Sequence, residues 1–277
     1  MAARIERWWN QPQLWIEWFA ILNIGFLTFD IYLAHNVNQF RNPAEYVPFF
    51  FSVGSPAVLI VALFFRNRRP RTWKLLGYIV GGAAILVGLT GVILHLQSHF
   101  FYERTLQSLT YSAPFAAPLA YTGLGFLLIM NRMVDSESLE WAQWVLLFTL
   151  GGFAGNFVFS VADHAQNGFY FPLEWVPVVA SALAIGFLIV PLIMRVSRVF
   201  LELCAALLLL EAAIGLWGFL LHTAANLRGP SIHAFDNFVN GAPPMAPLLF
   251  PNLMVLGIIA LWQLRNNETY LSAVEHW

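Results

Sequence analysis

The chain is 277 residues long, 59% hydrophobic and only 10% charged, with a formal net charge of −1. Soluble domains carry about a quarter charged residues, so a soluble globular fold is excluded and a polytopic membrane protein in a lipid bilayer is indicated. The near-zero charge gives no electrostatic footing for nucleic acid. The single cysteine, Cys204, excludes an internal disulfide and a cysteine-based metal site, and in its apolar run it reads as a small buried hydrophobe.

In chain order, the apolar runs predict an all-α fold of eight transmembrane helices over 14–35, 48–66, 75–96, 113–131, 142–164, 176–194, 200–222 and 244–263. Each is near the ~20 residues needed to span a bilayer. The runs are long and lack the alternation of a barrel strand, which leaves helices as the spanning structure. Arg4 and Arg7 precede the first run and no small-x-small pattern follows it, so a retained anchor is expected in place of a cleaved signal.

Lysine and arginine set the orientation. The N-terminus, the even-numbered turns and the C-terminal tail carry Arg4, Arg7, Arg66, Arg68, Arg69, Arg71, Lys74, Arg132, Arg195, Arg198 and Arg265, against Arg41, Arg104 and Arg228 on the other side. Eleven against three places both termini in the cytoplasm, as in a bacterial inner membrane. Trp8, Trp9, Trp15, Trp18, Trp73, Trp141, Trp144 and Trp262 fall near cytoplasmic helix ends, where indole favours the interface.

The odd-numbered helices then run outward, and each ends in a histidine: His35, His95, His164 and His222. The first and third of these belong to a tandem motif. His35–Pro48 and His164–Pro177 lie 129 residues apart and share His, Asn, Phe, Pro, Glu, Val and Pro, seven identities in fourteen positions. Chance gives roughly one. Gly88-x-x-Gly91-x-x-Leu94-His95 likewise matches Gly215-x-x-Gly218-x-x-Leu221-His222, and Ala113-Pro114-x-x-Ala117-Pro118-Leu119 matches Ala242-Pro243-x-x-Ala246-Pro247-Leu248. The expected organisation is two parallel four-helix repeats, 1–135 and 136–277, related by an axis along the membrane normal. The matched glycines, with Gly77, Gly81, Gly151 and Gly155, suit close helix contact.

Four imidazoles at one depth, two from each half, form a candidate site for a transition metal (Cu, Fe, Zn or Mn) or haem b. Taken singly, each is an ordinary interfacial histidine. His95, His99 and Glu103 share a face if the third helix continues outward, and Asn226 occupies the place of His99 in the second half. Asn38 and Asn167 follow their histidines by three residues, suited to orienting an imidazole or to capping the helix end. Glu45 and Glu174 follow by ten, and each either folds back as a ligand or begins the next helix, where a first-turn acid is favoured. A bis-histidine haem matches the topology of His35 with His95 and of His164 with His222. The shallow depth and the adjacent Glu and Asn favour a non-haem metal.

Acids inside spans need a partner. Asp163 adjoins His164, Asp30 lies five before His35, Glu202 is near the cytoplasmic end within reach of Arg198 or water, and Glu211 sits in mid-membrane as the candidate proton-relay acid or as a neutral carboxyl bonded between helices. No phosphate loop, nucleophile elbow or HExxH motif is present. His233 and His276 fall outside the repeat.

The layout resembles that of the haem A synthases, in eight spans, two four-helix halves and paired histidines. Those enzymes carry their histidines on the even helices and have loop motifs not found here, so no residue role transfers. The expected function is a membrane metalloprotein doing redox chemistry or electron transfer at the non-cytoplasmic face, with other membrane subunits or a redox partner alongside. A solute or metal transporter and a structural subunit of a membrane complex are the alternatives. Transport calls for a polar path to the cytoplasm, and only Glu211, Asn23 and Thr28 lie at depth.

Overall fold

A computed structural model describes residues 11–271; Arg4, Arg7, Trp8, Trp9 and His276 lie outside the described residues. The described chain is helical and has no strand among those residues. Its long helices are α1 (Pro12–Asn36), α2 (Tyr46–Phe65), α3 (Pro70–Gln97), α4 (Leu119–Met133), α5 (Leu139–Ala165), α6 (Trp175–Ile193), α7 (Arg198–Leu227) and α8 (Leu249–Asn266). Proline at the start of α1 and α3 presets the helical φ and lacks only an amide that would be free there. Ser138 and Ser197 cap α5 and α7 by accepting from Trp141 and Phe200 N–H.

Among the described residues, seven helices are long and apolar enough to cross a membrane, α2, α6 and α8 counted with the short 3₁₀ turns that lead into them. The chain is an integral membrane protein on this ground. The exception is α4. Its 15 residues rise about 22 Å, short of the ~30 Å hydrocarbon core. The expected start near residue 113 is not helical because Pro114 and Pro118 cannot donate backbone bonds, and the chain becomes α-helical only at Leu119.

Helix α1 packs on α2 and α4, and α3 packs on the same two; α5 packs on α6 and α8, as does α7. Among the long helices the halves meet where α4 packs on α5 and α1 on α8, and the short helices Leu106–Thr110 and Ala234–Asn240 also cross, against α5 and α1. So α1 and α3 stand across one bundle diagonal, and α5 and α7 across the other. Close packing rests on glycine. A Cβ added at Gly81 would meet Gly125 O at 2.8 Å, and one at Gly91 would meet Pro118 Cβ at 2.8 Å. Gly151 and Gly155 face open space instead, and the close contact in that stretch is between Gly152 and Leu253.

Trp73 and Trp141 are buried against other helices. The Arg132 guanidinium stacks 3.8 Å from the Trp73 ring, and the Trp141 indole N–H donates to Asn131 Oδ1 at 3.2 Å. Arg132 is itself fully buried and paired with Glu17, an acid inside α1 that sequence reasoning passed over. Only adjacency in the fold relates residues 17, 73 and 132, and no sequence spacing announces it.

Candidate metal centre

Each half builds the same small cluster at the matched ends of its helices. In the first, His35 near the end of α1 and His95 near the end of α3 hold their ring centroids 6.2 Å apart, at 66° between planes. In the second, His164 on α5 and His222 on α7 stand 6.4 Å apart at 84°. The four histidines therefore come together as two pairs, one per half.

His95 Nδ1–H donates to the Pro114 carbonyl at 2.9 Å, and His222 Nδ1–H to the Pro243 carbonyl at 2.8 Å. A carbonyl only accepts, so both rings carry the Nδ1 proton and keep the Nε2 lone pair free. The non-helical segments before α4 and α8 make this possible. A proline-rich stretch outside regular helix leaves its carbonyls without i+4 donors, and the imidazoles use them. The shared Ala-Pro-x-x-Ala-Pro-Leu motif is visible in the sequence, but its role as acceptor of an imidazole proton is not.

The glutamates are placed by the loops. Pro43–Glu45 and Pro172–Glu174 form matching 3₁₀ turns, after which α2 and α6 begin. Glu45 and Glu174 thus occupy helix starts, as one of the two sequence readings had it, but neither side chain caps its helix. Instead Glu45 Oε1 accepts from Asn38 Nδ2 at 2.7 Å, and Glu174 Oε1 accepts from Asn167 Nδ2 at 2.8 Å. The second oxygens, Glu45 Oε2 and Glu174 Oε2, are both buried without a hydrogen-bond partner among the described residues. Glu45 Oε2 lies 3.7 Å from His35 Nδ1.

Backbone strain concentrates at the same loops. Gln39 and Phe40 have φ of 60° and 51°, and Gly168 and Phe169 have 69° and 53°. A bulky residue at positive φ is costly and persists only where its surroundings hold it. Here Phe40 N–H and Phe169 N–H donate back to the His35 and His164 carbonyls at 3.2 and 3.0 Å. The turns set the Phe40 ring 5.7 Å from His35 and the Phe169 ring 6.1 Å from His164.

Several candidates stand elsewhere. Helix α3 stops at Gln97, where Ser98 Oγ–H takes the His95 carbonyl at 2.6 Å, so His99 begins a new short turn and is exposed, as is Glu103. The common face of His95, His99 and Glu103 is not formed. Helix α7 runs on past His222 to Leu227, and buried Asn226 ties it to the following loop by donating to Ala242 O at 2.8 Å. Asp163 lines a small cleft with Leu109, Ser112, Phe159 and Gln166. Glu202 pairs with Arg265 at 2.8 Å rather than Arg198. Glu211 is fully buried in α7, and neither carboxyl oxygen has a hydrogen-bond partner among the described residues.

Among the described residues, no group of three or more His, Cys, Asp or Glu side chains is gathered closely enough to hold a metal ion. What each cluster presents is two imidazoles with a glutamate alongside. No family model matches the sequence, and neither a curated protein nor a solved structure matches it.

Proposed function

We propose that this protein is a membrane metalloprotein with two metal-binding histidine pairs, His35 with His95 and His164 with His222, working in redox chemistry or electron transfer at the non-cytoplasmic face. The observation that carries this reading is the duplicated imidazole–carbonyl bond. Metal-ligating histidines nearly always give their second ring N–H to a carbonyl or carboxylate, which fixes tautomer and ring orientation. Here the same bond recurs in both halves, on matched residues. A bound transition metal supplies the electron-accepting centre; the protein fixes its imidazoles, holds Glu45 and Glu174 beside them, and leaves the site near the membrane surface where a redox partner or substrate can approach.

The supporting architecture is eight spans in two parallel four-helix repeats, 1–135 and 136–277. The matching helix contacts within each half support it, as do the paired joints α4–α5 and α1–α8. In this arrangement α4 completes its crossing through the irregular segment 113–118. With Arg132 buried, ten cationic residues against three still favour cytoplasmic termini in a bacterial inner membrane.

Metal analysis of protein purified in mild detergent tests the proposal. The expected result is two metal equivalents per chain, falling to one in His35→Ala and to none in the His35→Ala/His164→Ala double variant. Protein that takes up no metal, even after reconstitution, would sink the proposal and move the choice to a transporter or a structural subunit.

The carboxamides give a second, graded prediction. Asn38→Leu frees Glu45 in the first cluster and leaves the second intact. Metal affinity of the first site should drop by about 10–100-fold, the usual effect of losing a partner that orients the ligands. Since Asn38 is exposed, the thermal midpoint should barely move. A chelator competition resolving two affinities reads this directly, and unchanged affinity in both sites would remove Asn38 from the centre.

A further inference from the structure

We infer that each histidine pair is built to hold a non-covalently bound haem between its two rings as trans axial ligands. This inference rests on the metalloprotein reading above and narrows it from any transition metal to an iron porphyrin.

The ring spacing carries the argument. A metal–imidazole bond is about 2.0–2.1 Å, and the ring centroid lies about 1.1 Å beyond the ligating nitrogen. Two imidazoles on opposite sides of one metal therefore put their centroids about 6.3 Å apart. Two at a tetrahedral angle would stand about 5 Å apart, and two at a right angle about 4.5 Å. The observed separations are 6.2 and 6.4 Å. Both separations match the trans value, on matched residues of the two halves.

The remaining features agree. The two rings of each pair come from helices that face each other across a bundle diagonal, α1 with α3 and α5 with α7, as trans ligation requires. His95 and His222 have their Nδ1 protons taken by carbonyls and offer Nε2. The Glu45 carboxylate stands near Nδ1 of His35, not on the side where Nε2 would bind. It is a positioning residue, placed on the Nδ1 side of the ring. Two protein ligands and no third suit a metal that brings its own equatorial donors. With Cys204 as the sole cysteine there is no C-x-x-C-H motif, so a thioether-attached c-type haem is excluded and the haem is one held non-covalently.

The test is a titration of the full-length protein, in mild detergent, with haemin and separately with Zn²⁺. The expected result is a Soret shift saturating at two haems per chain, with a low-spin electron paramagnetic resonance signal. His95→Gly should bind one haem in low-spin form, and free imidazole should restore the second. His222→Gly, in the other half, should behave the same way, so a folding failure of one variant leaves the other to decide. Haem bound only in high-spin form, or unaffected by either substitution, overturns the inference. Stoichiometric Zn²⁺ binding lost in His35→Ala, with no Soret shift, overturns it while the metalloprotein reading stands. Binding of neither probe overturns both.

Discussion

Arg132→Met should be the most damaging single substitution in the protein interior. Arg132 and Glu17 are both fully buried and joined by two hydrogen bonds, with the guanidinium lying 3.8 Å over the Trp73 ring. Removing the cation leaves a carboxylate without a partner in a low-dielectric interior, a loss of about 3–5 kcal/mol. The sequence contains its own control. At the 129-residue offset, Glu17 corresponds to Leu146 and Arg132 to Leu261, and both leucines are buried. The second half thus fills the same place with two apolar side chains. A Glu17→Leu/Arg132→Leu double variant should therefore regain most of the stability lost by Arg132→Met, since a buried ion pair replaced by packed hydrophobes is often neutral or stabilising by ~1–4 kcal/mol. Denaturation by SDS in mixed micelles measures both. Equal losses in the single and double variants would show that packing around Trp73, not charge pairing, holds this end together.

The second large effect is expected at Gly88 and Gly215. A Cβ on Gly88 would meet Pro118 O at 2.8 Å and Thr122 N at 2.7 Å; one on Gly215 would meet Pro247 O at 2.5 Å and Phe250 Cβ at 2.6 Å. Backbone atoms cannot move aside as a side chain does, so alanine must push α3 from α4, or α7 from α8. Overpacking of this kind costs about 1–3 kcal/mol. The consequence reaches the histidine pairs because each glycine lies two turns before a histidine, on the same helix face. Displacing α3 from the 114–118 segment would lengthen the His95–Pro114 bond, and displacing α7 would do the same to His222–Pro243. Gly88→Ala should lower occupancy at the first site alone, and Gly215→Ala at the second alone. Full occupancy of both sites in a destabilised Gly88→Ala variant would separate helix packing from the centre. Gly151→Ala is the matched control, since nothing lies within 4 Å of its Cβ.

The residues of the two clusters were legible because the chain repeats itself. His35 and His164, Glu45 and Glu174, Asn38 and Asn167, Phe40 and Phe169 are found by aligning one half on the other, and the fold brings each set together locally. Reading each helix in isolation was less secure. The face proposed for His95, His99 and Glu103 assumed a continuous helix, and the break at Ser98 dissolved it. Hydropathy predicts a fourth span over 113–131, but it does not register that prolines at 114 and 118 have no amide to give. The tryptophan rule does not show that Trp73 and Trp141 each meet a buried polar side chain, Arg132 and Asn131.

The sequence alone determined that this chain is an apolar, helical membrane protein, because composition and run length decide that without reference to any contact. Its internal duplication, read from the same string, nominated the histidines, glutamates and asparagines. Only the tertiary structure decided how those groups meet: the ring separations, the carbonyls that take the Nδ1 protons, the unpartnered carboxylate oxygens and the Glu17–Arg132 pair. The physical reason is one of distance. Helical periodicity and hydropathy are local properties of the chain, whereas a ligand spacing or a buried charge pair is set by helices tens of residues apart, and by prolines and glycines that fix how closely and at what height they pack.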